Sequence, residues 1–89
     1  MIFVVDGSQG AGAVDLDMQA SGIDVYCFTG HKCLMGPTGI GGSYVREGIE
    51  IKHTRAGGTG VRSAYPVHLD EYPYRLEYGT LNLLGVAGL

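Results

Sequence analysis

Two short polar segments of this 89-residue chain contain side chains that can do chemistry together. The first holds Asp6 and Gln9, and the second holds Thr29, His31 and Lys32. A lysine amine can attack an aldehyde, and a carboxylate can hold a ring nitrogen in its protonated form. Hydroxyl and imidazole groups can donate hydrogen bonds to a phosphate. This set of side chains matches what pyridoxal 5'-phosphate requires of a protein.

The chemistry assigns separate roles to the strongest candidates. Asp6 against the pyridine nitrogen would keep the ring protonated, so that the ring accepts electrons from a carbanion at a substrate's α-carbon. Lys32 must be neutral to react, and partial desolvation with a cationic neighbour such as protonated His31 would favour the neutral amine. Taken alone, Asp6 with Gly7 would be an ordinary turn and Lys32 a solvated surface residue. The prediction therefore depends on the two segments lying side by side.

Two predicted strands place these segments at one edge of a parallel sheet. Residues 2–5 are an apolar run typical of a strand buried on both faces, and residues 23–28 predict a second strand. Between them, residues 15–20 predict a short helix that Asp15 caps and Gly22 ends. Strand, helix and strand would make one right-handed βαβ unit. Because ligands bind outside the carboxyl ends of such strands, both polar segments should face one cleft.

The rest of the chain has weaker patterns. Residues 40–45 predict a third strand, whose two glycines either weaken it or mark close packing. No helical period holds from residue 46 to 74, and residues 81–89 begin an apolar helix or strand. Sixteen glycines and an end without a stop signal favour a segment of a larger α/β protein. The alternative is a complete but loosely ordered small domain.

Composition argues against several classes of function. Charged residues make up 17% of the chain and the formal net charge is -3, which disfavours nucleic acid or an acidic membrane surface as a partner. The apolar run at residues 2–5 is far shorter than the ~20 residues of a membrane-spanning helix and lacks a signal-peptide pattern. We therefore expect a soluble, cytoplasmic protein with a small-molecule or protein partner.

Two cysteines, Cys27 and Cys33, do not make the dense disulfide framework of a small secreted domain. We expect both to be reduced, buried structural thiols. A metal site that combines them with His31 and His53 is disfavoured, because Cys-x5-Cys and His-x-Cys are not the usual zinc spacings. No metal is predicted.

Three motifs together resemble a known family in their order and spacing. They are Asp6-Gly7-Ser8-Gln9-Gly10-Ala11, Thr29-Gly30-His31-Lys32 and Gly36-Pro37-Thr38-Gly39-Ile40-Gly41. This pattern is similar to the centre of the class V aminotransferase family, especially its cysteine desulfurase and selenocysteine lyase branch. The resemblance implies an α/β fold, namely a fragment of the three-layer αβα large domain of fold type I pyridoxal-phosphate enzymes, with a mixed, mostly parallel sheet. Residues 1–89 would be part of that domain, without its upstream segment and the C-terminal small domain.

The resemblance also implies a role for each polar residue of the two segments. Asp6 would pair with the pyridine nitrogen, and Gln9 would contact the ring hydroxyl. Thr29 and His31 would bind the phosphate. Lys32 would form the internal aldimine, which makes it the catalytic residue.

A fourth segment, Glu77-Tyr78-Gly79-Thr80-Leu81-Asn82, is similar to a family motif whose threonine reaches the phosphate held by the other subunit of a dimer. Thr80 inherits that role by resemblance, which also implies a homodimer. The segment departs from the family at Leu81, where proline is usual.

The function that the resemblance implies is the release of sulfur or selenium from cysteine or selenocysteine by a pyridoxal-phosphate-dependent enzyme, with a sulfur-acceptor protein as a further partner. A transaminase, epimerase or lyase of the same family is the alternative, since the retained motifs handle cofactor rather than substrate. Outside enzymes, the alternatives are a non-catalytic remnant or a phosphate binder that uses the glycine loops, although Gly-x-Gly-x-x-Gly fails at Asp15. The chain alone is expected to be inactive, because the family's sulfur-attacking cysteine and carboxylate-binding arginine have no counterpart in it.

Overall fold

A three-stranded sheet organises the first part of the chain. The computed structural model describes residues 1–58 and 60–89. Strand β1 (Val4–Asp6) pairs in parallel with β2 (Val25–Thr29), and β2 pairs antiparallel with β3 (Gly41–Val45). The strand order β1-β2-β3 makes β2 the central strand. The sheet is therefore mixed, as predicted, and the parallel pair joins the two strands that precede the polar segments.

All three predicted strands are present, with bounds that lie one or two residues later at most of their ends. Hydrogen bonding to the chain around the start of β2 begins at Phe3, directly before β1. The Phe3 carbonyl accepts the N–H groups of Asp24 and Val25 at 3.0 and 3.1 Å. Within this chain, the first strand is not covered on both faces. Val4 is 60% exposed, and the apolar residues before it are exposed as well. A run of β-branched residues indicates a strand, but it does not determine what covers the strand.

The predicted helix over residues 15–20 does not form. A turn occupies residues 18–22, and the capping residue is Asp17 rather than Asp15. The Asp17 carboxylate accepts the N–H groups of Gln19 and Ala20 at 2.8 and 3.0 Å, which closes a single turn. A positive φ of 69° at Gly22 then reverses the chain, as the predicted helix end required. One turn is too short to propagate as an α-helix, because nucleation costs more than so few hydrogen bonds return.

Asp24 ties all three strands together at the edge of the sheet opposite the polar segments. Its carboxylate accepts the Phe3 N–H at 2.7 Å and the Arg46 Nε–H at 2.6 Å, and it forms an ion pair with the same guanidinium. Its carbonyl accepts the Arg46 N–H at 2.8 Å. Asp24 is only 4% exposed, so these bonds compensate a carboxylate that has lost most of its water. One buried side chain therefore holds the start of β1 and the end of β3 against the start of β2.

Close packing of an aromatic ring explains the glycines of β3. A Cβ added at Gly42 would lie 2.7 Å from Cζ of Phe28, and one at Gly41 would overlap the Phe28 carbonyl oxygen. The Phe28 ring thus packs against β3 at Gly42, and the Phe28 backbone packs against β3 at Gly41. Of the two readings of these glycines, close packing is the one that the structure supports.

A helix or a strand was expected near the end of the chain, and a short helix, α1 (Leu83–Gly88), forms there. The Asn82 side chain caps it by accepting the Gly85 N–H at 3.0 Å, and the Asn82 amide donates to the Gly39 carbonyl at 3.4 Å. Together with the sheet, α1 belongs to a compact unit made of Met1–Ile49 and Asn82–Leu89. Within the described residues, no helix has both the length and the apolar character needed to cross a membrane.

The second compact unit, Glu50–Leu81, has little regular structure. A 3-10 helix at Tyr74–Leu76 lies within it. The Arg75 guanidinium lies 3.4 Å from the Glu50 carboxylate and 5.1 Å from the centre of the Tyr72 ring. Polar and cation–π contacts stabilise this unit. Its described residues form no extensive apolar core.

The Asp24 cluster predicts an acid-sensitive fold. The Phe3 N–H bond, followed by the Arg46 contacts, lowers the pKa of Asp24 below its ordinary 3.8, against the opposing effect of burial. The carboxylate therefore stabilises the folded state fully above the unfolded-state pKa, and this contribution is lost as pH falls through the lower folded-state value. We expect Asp24→Asn to lower the melting temperature by several degrees at neutral pH, measured by circular dichroism.

The same experiment has an internal control in Asp15, an exposed carboxylate. Asp15→Asn should melt with the wild type at every pH. The difference between wild type and Asp24→Asn should shrink as the pH drops below 3.8. Equal melting temperatures of the two variants at neutral pH would contradict the proposed contribution of Asp24.

Candidate functional site

Asp6 is the last residue of β1 and pairs in register with Cys27 on the neighbouring parallel strand. Its Oδ1 accepts two hydrogen bonds from Ser8, one from the hydroxyl at 2.6 Å and one from the N–H at 3.0 Å. Its Oδ2 accepts none from the residues that the structure describes. The side chain is thus fixed through one oxygen and offers the other to a ligand.

The electrostatics of Asp6 favour its anionic form. The Ser8 hydroxyl contributes most to lowering its pKa, the Ser8 N–H contributes next, and the charge of Lys32 adds a smaller effect; partial desolvation opposes all three. Lys32 and Asp6 are not within ion-pair distance, so the lysine charge acts on the carboxylate only as a longer-range effect. The two polar segments follow adjacent parallel strands, and that they share one cleft stays a prediction.

The loop after β1 is folded tightly around one glycine carbonyl. The Gly7 carbonyl accepts the N–H groups of Gly10 and Ala11 at 3.0 and 2.9 Å, while the Gly7 N–H donates to the Cys27 carbonyl at 2.7 Å. Gly12 then adopts a positive φ of 80°, and a Cβ on it would lie 2.9 Å from the backbone carbon of Cys33. The loop that carries Asp6 thus packs against the chain directly after Lys32. Only glycine permits this approach without a shift of backbone.

Thr29 and His31 form a second contact at the end of β2. The Thr29 Oγ1 and the His31 Nδ1 are 2.9 Å apart. Thr29 is half-buried at the end of the strand, whereas His31 is exposed. The pair can act as one unit, in which the hydroxyl orients the imidazole ring.

Lys32 lies in a loop that closes on itself. The Gly36 N–H donates to the Gly30 carbonyl at 2.8 Å, and the Met35 N–H donates to the Lys32 carbonyl at 2.8 Å. The Gly30 N–H donates to the Ile40 carbonyl at 2.8 Å, which anchors the loop to the residue that precedes β3. These bonds fix the backbone of a half-buried lysine while its amine stays free to move.

The remaining two predicted site residues are placed less closely. Gln9 is exposed in the loop after β1 and makes no hydrogen bond to the residues that the structure describes. Thr80 belongs to the second unit, where it is exposed and follows Gly79 with a positive φ of 89°. The structure thus joins Thr29 to His31 and places Asp6 and Lys32 after adjacent parallel strands, without an ion pair between these two side chains.

The prediction of buried cysteines was wrong, since both Cys27 and Cys33 are exposed. Side chains alternate along a strand, so Tyr26 and Phe28 take the covered face of β2 and leave Cys27 on the face of its register partner Asp6. That face is open in this chain. Among the described residues, no group of His, Cys, Asp and Glu side chains could hold a metal ion.

Two residues of the site were not predicted from the sequence. Ser8 stands two positions after Asp6, a spacing at which an aspartate commonly bonds the backbone ahead of it, so this signal was present in the sequence. Tyr26 is buried against the loop at Gly7, and its hydroxyl donates to the Gly7 carbonyl at 3.3 Å. No sequence signal marks that contact, because it joins residues 19 positions apart.

Comparison with known proteins gives consistent matches along the chain. The model of the family described as aminotransferase class-V matches residues 1–89. The chain is 42% identical to the cysteine desulfurase CsdA of Escherichia coli (strain K12), with 100% of this chain and 23% of that protein aligned. It is 40% identical to a probable cysteine desulfurase of Chlamydia trachomatis serovar D, with 99% and 23% aligned. The chain thus spans 23% of the length of these curated relatives.

A solved structure supports the same relationship. The apo structure of a cysteine desulfurase from Thermococcus onnurineus NA1 matches with a TM-score of 0.69 and 36% identity. The match covers 98% of this chain and 23% of that one. Sequence and three-dimensional structure therefore agree over nearly the whole chain.

The Ser8 contacts generate a prediction about the Asp6 titration. Ser8→Ala removes the hydroxyl bond and leaves the N–H bond, so the pKa of Asp6 should rise towards its ordinary 3.8. The carboxyl carbon shift of Asp6, followed by NMR against pH, measures this directly. Ser43→Ala is the matched control, because the exposed Ser43 hydroxyl has no hydrogen-bond partner among the described residues. An Asp6 titration that is identical in both variants would show that the Ser8 hydroxyl does not hold the carboxylate.

Proposed function

The chain belongs to the aminotransferase class-V family, and from this premise we propose that it is part of a pyridoxal-phosphate-dependent enzyme that releases sulfur or selenium from cysteine or selenocysteine. The observation that carries the proposal is that Asp6 and Thr29 end two adjacent parallel strands and that the loop after Asp6 packs, at Gly12, on the backbone directly after Lys32. Relatives named cysteine desulfurases favour cysteine as the substrate class. Because the chain spans 23% of their length, the activity belongs to the longer protein of which residues 1–89 form part of one domain.

The fold fits this family. The mixed three-stranded sheet is a fragment of the αβα large domain of fold type I pyridoxal-phosphate enzymes. In open α/β sheets, ligands bind outside the carboxyl ends of parallel strands. Asp6 ends β1 and Thr29 ends β2, so both lie at this edge.

Asp6 fits the ring nitrogen of pyridoxal phosphate. When bound, the cofactor supplies an aldehyde that links to amines and a ring that withdraws electrons from the substrate's α-carbon. Withdrawal is strongest when the ring nitrogen carries a proton, and an anionic carboxylate stabilises that proton. The lowered pKa of Asp6 and its unbonded Oδ2 supply such a partner. Gln9, three residues on, would contact the ring hydroxyl.

Thr29 and His31 fit the phosphate. In the tautomer with hydrogen on Nε2, the Thr29 hydroxyl donates to Nδ1 of His31 and the ring directs its Nε2–H outwards. That N–H can bind a phosphate oxygen. Thr80 would contact the phosphate bound by the other subunit of a homodimer.

Lys32 fits the remaining two tasks. Its amine would hold the cofactor covalently, and once released it would move a proton at the substrate's α-carbon. The bonded loop around it fixes the backbone, so that the side chain alone carries the motion.

A second candidate is another reaction of the same family, such as transamination, epimerisation or a different elimination. The described residues of the site handle cofactor rather than substrate, so they fit these reactions as well. The names of the relatives favour sulfur release, and a protein that accepts sulfur from the enzyme would then be a partner.

Covalent labelling tests the role of Lys32. Incubation of the full chain with pyridoxal phosphate, borohydride reduction and peptide mapping should place the label on Lys32. We expect a preference over Lys52 on the order of tenfold, the factor that about 1.4 kcal/mol of additional binding energy gives. Lys52 is a matched control, since it is an exposed lysine of the second unit.

The lysine variants separate the outcomes. Lys32→Ala should reduce the label to the low level expected at Lys52, while Lys52→Ala should leave it on Lys32. In the longer protein, Lys32→Ala should also remove sulfide release from cysteine. Even labelling of Lys32 and Lys52 would argue against a cofactor site.

A further inference from the structure

We propose that Tyr26 is a positioning residue, which fixes the loop carrying Asp6 and Gln9 relative to the strand that leads to Lys32. The inference rests on the proposed function of these residues in holding a cofactor. Tyr26 is the second residue of β2, the central strand, which lies between β1 and the antiparallel strand β3. It acts through the backbone of Gly7 and is not expected to touch cofactor or substrate.

The contact between Tyr26 and Gly7 is unusually close. A Cβ added at Gly7 would overlap the Tyr26 ring, and one at Gly10 would lie 3.1 Å from its hydroxyl oxygen. The tyrosine is 5% exposed, so the ring occupies the space that side chains at these two positions would fill. The Tyr26 ring therefore packs directly against Gly7 and Gly10, and this packing restricts the position of the loop.

The Gly7 carbonyl accepts hydrogen bonds from three donors. It accepts the Tyr26 hydroxyl at 3.3 Å and the N–H groups of Gly10 and Ala11 at 3.0 and 2.9 Å. Removing the hydroxyl leaves two of the three donors in place. The loop should therefore loosen locally rather than unfold, which makes the role testable.

The position of this carbonyl matters because the same Gly7–Ser8 peptide carries the Ser8 N–H, which donates to Oδ1 of Asp6 at 3.0 Å. A rotation of that peptide would move this donor away from the Asp6 carboxylate. The far end of the same loop packs on the backbone of Cys33 through Gly12, so a movement there also reaches the lysine loop. Tyr26 thus positions the backbone donor that holds Asp6.

The test is Tyr26→Phe, which keeps the ring over Gly7 and deletes the hydroxyl. Tyr44→Phe is the matched control, because Tyr44 is the register partner of Tyr26 on β3 and its hydroxyl has no hydrogen-bond partner among the described residues. The first readout is amide hydrogen exchange of the full chain without cofactor. We expect Tyr26→Phe to speed exchange at Gly10 and Ala11 by on the order of 2- to 10-fold, the range for loss of one neutral hydrogen bond.

Exchange at Arg46, whose N–H bonds to Asp24, distinguishes local from global effects. In Tyr26→Phe it should stay at the wild-type rate, and Tyr44→Phe should leave all three amides unchanged. Equal acceleration at Gly10, Ala11 and Arg46 would mean that Tyr26 only stabilises the fold, and no acceleration would mean that its hydroxyl does nothing. Either result overturns the inference.

The second readout is the NMR titration of the Asp6 carboxyl group. If Tyr26 holds the Gly7–Ser8 peptide, and with it the Ser8 N–H that binds Asp6, Tyr26→Phe should raise the pKa of Asp6 towards its ordinary value, and Tyr44→Phe should not. An unchanged Asp6 titration in Tyr26→Phe would overturn the positioning role even if the loop exchanges faster. This readout needs no cofactor, so failure of Lys32 labelling counts against the proposed function and is distinguishable from failure of the inference.

Discussion

The parallel pairing of β1 with β2 is the constraint on which the rest of the site depends, and it is held mainly at its two ends. At one end, the buried Asp24 carboxylate accepts the Phe3 N–H and pairs with Arg46. At the other end, the Gly7 N–H donates to the Cys27 carbonyl. β1 has only three residues and an exposed apolar surface, so packing alone contributes little to this register. Since Asp6 ends β1, a slip of one residue in the pairing would move its carboxylate to the other face of the sheet.

Glycines and aromatic rings complement each other across this sheet. The Phe28 ring covers Gly42 of β3, and the Tyr26 ring covers Gly7 of the loop after β1. Both rings project from the central strand onto the same face, with centres 6.3 Å apart. The opposite face carries Asp6 and Cys27 and is open in this chain. Rigidity on one face thus supports reactive groups on the other, which is the arrangement that a preorganised site needs.

The chemistry of the proposed site follows from charge rather than from burial. Asp6 is exposed, yet two bonds from Ser8 keep it anionic and the Lys32 charge adds to this effect. Thr29 orients His31 through one hydrogen bond at 2.9 Å. These are short-range contacts between neighbours in sequence, apart from the longer-range effect of the Lys32 charge on Asp6. In the class-V family, to which the chain belongs, such contacts would hold a cofactor whose own ring performs the electron withdrawal.

The sequence by itself determined the three strands, the mixed α/β class and the family, because strand preference and motif spacing are local properties that residue types carry. It also indicated Asp6, Gln9, Thr29, His31, Lys32 and Thr80 as candidate site residues, whose roles stay predictions. It failed for the helix over residues 15–20, where Asp17 closes one turn instead, and for Cys27, which is exposed. Burial depends on which face other elements cover, and the alternation of a strand does not contain that information. The contacts of Tyr26 with Gly7 and of Asp24 with Arg46 join residues 19 and 22 positions apart, so only the tertiary structure could decide them.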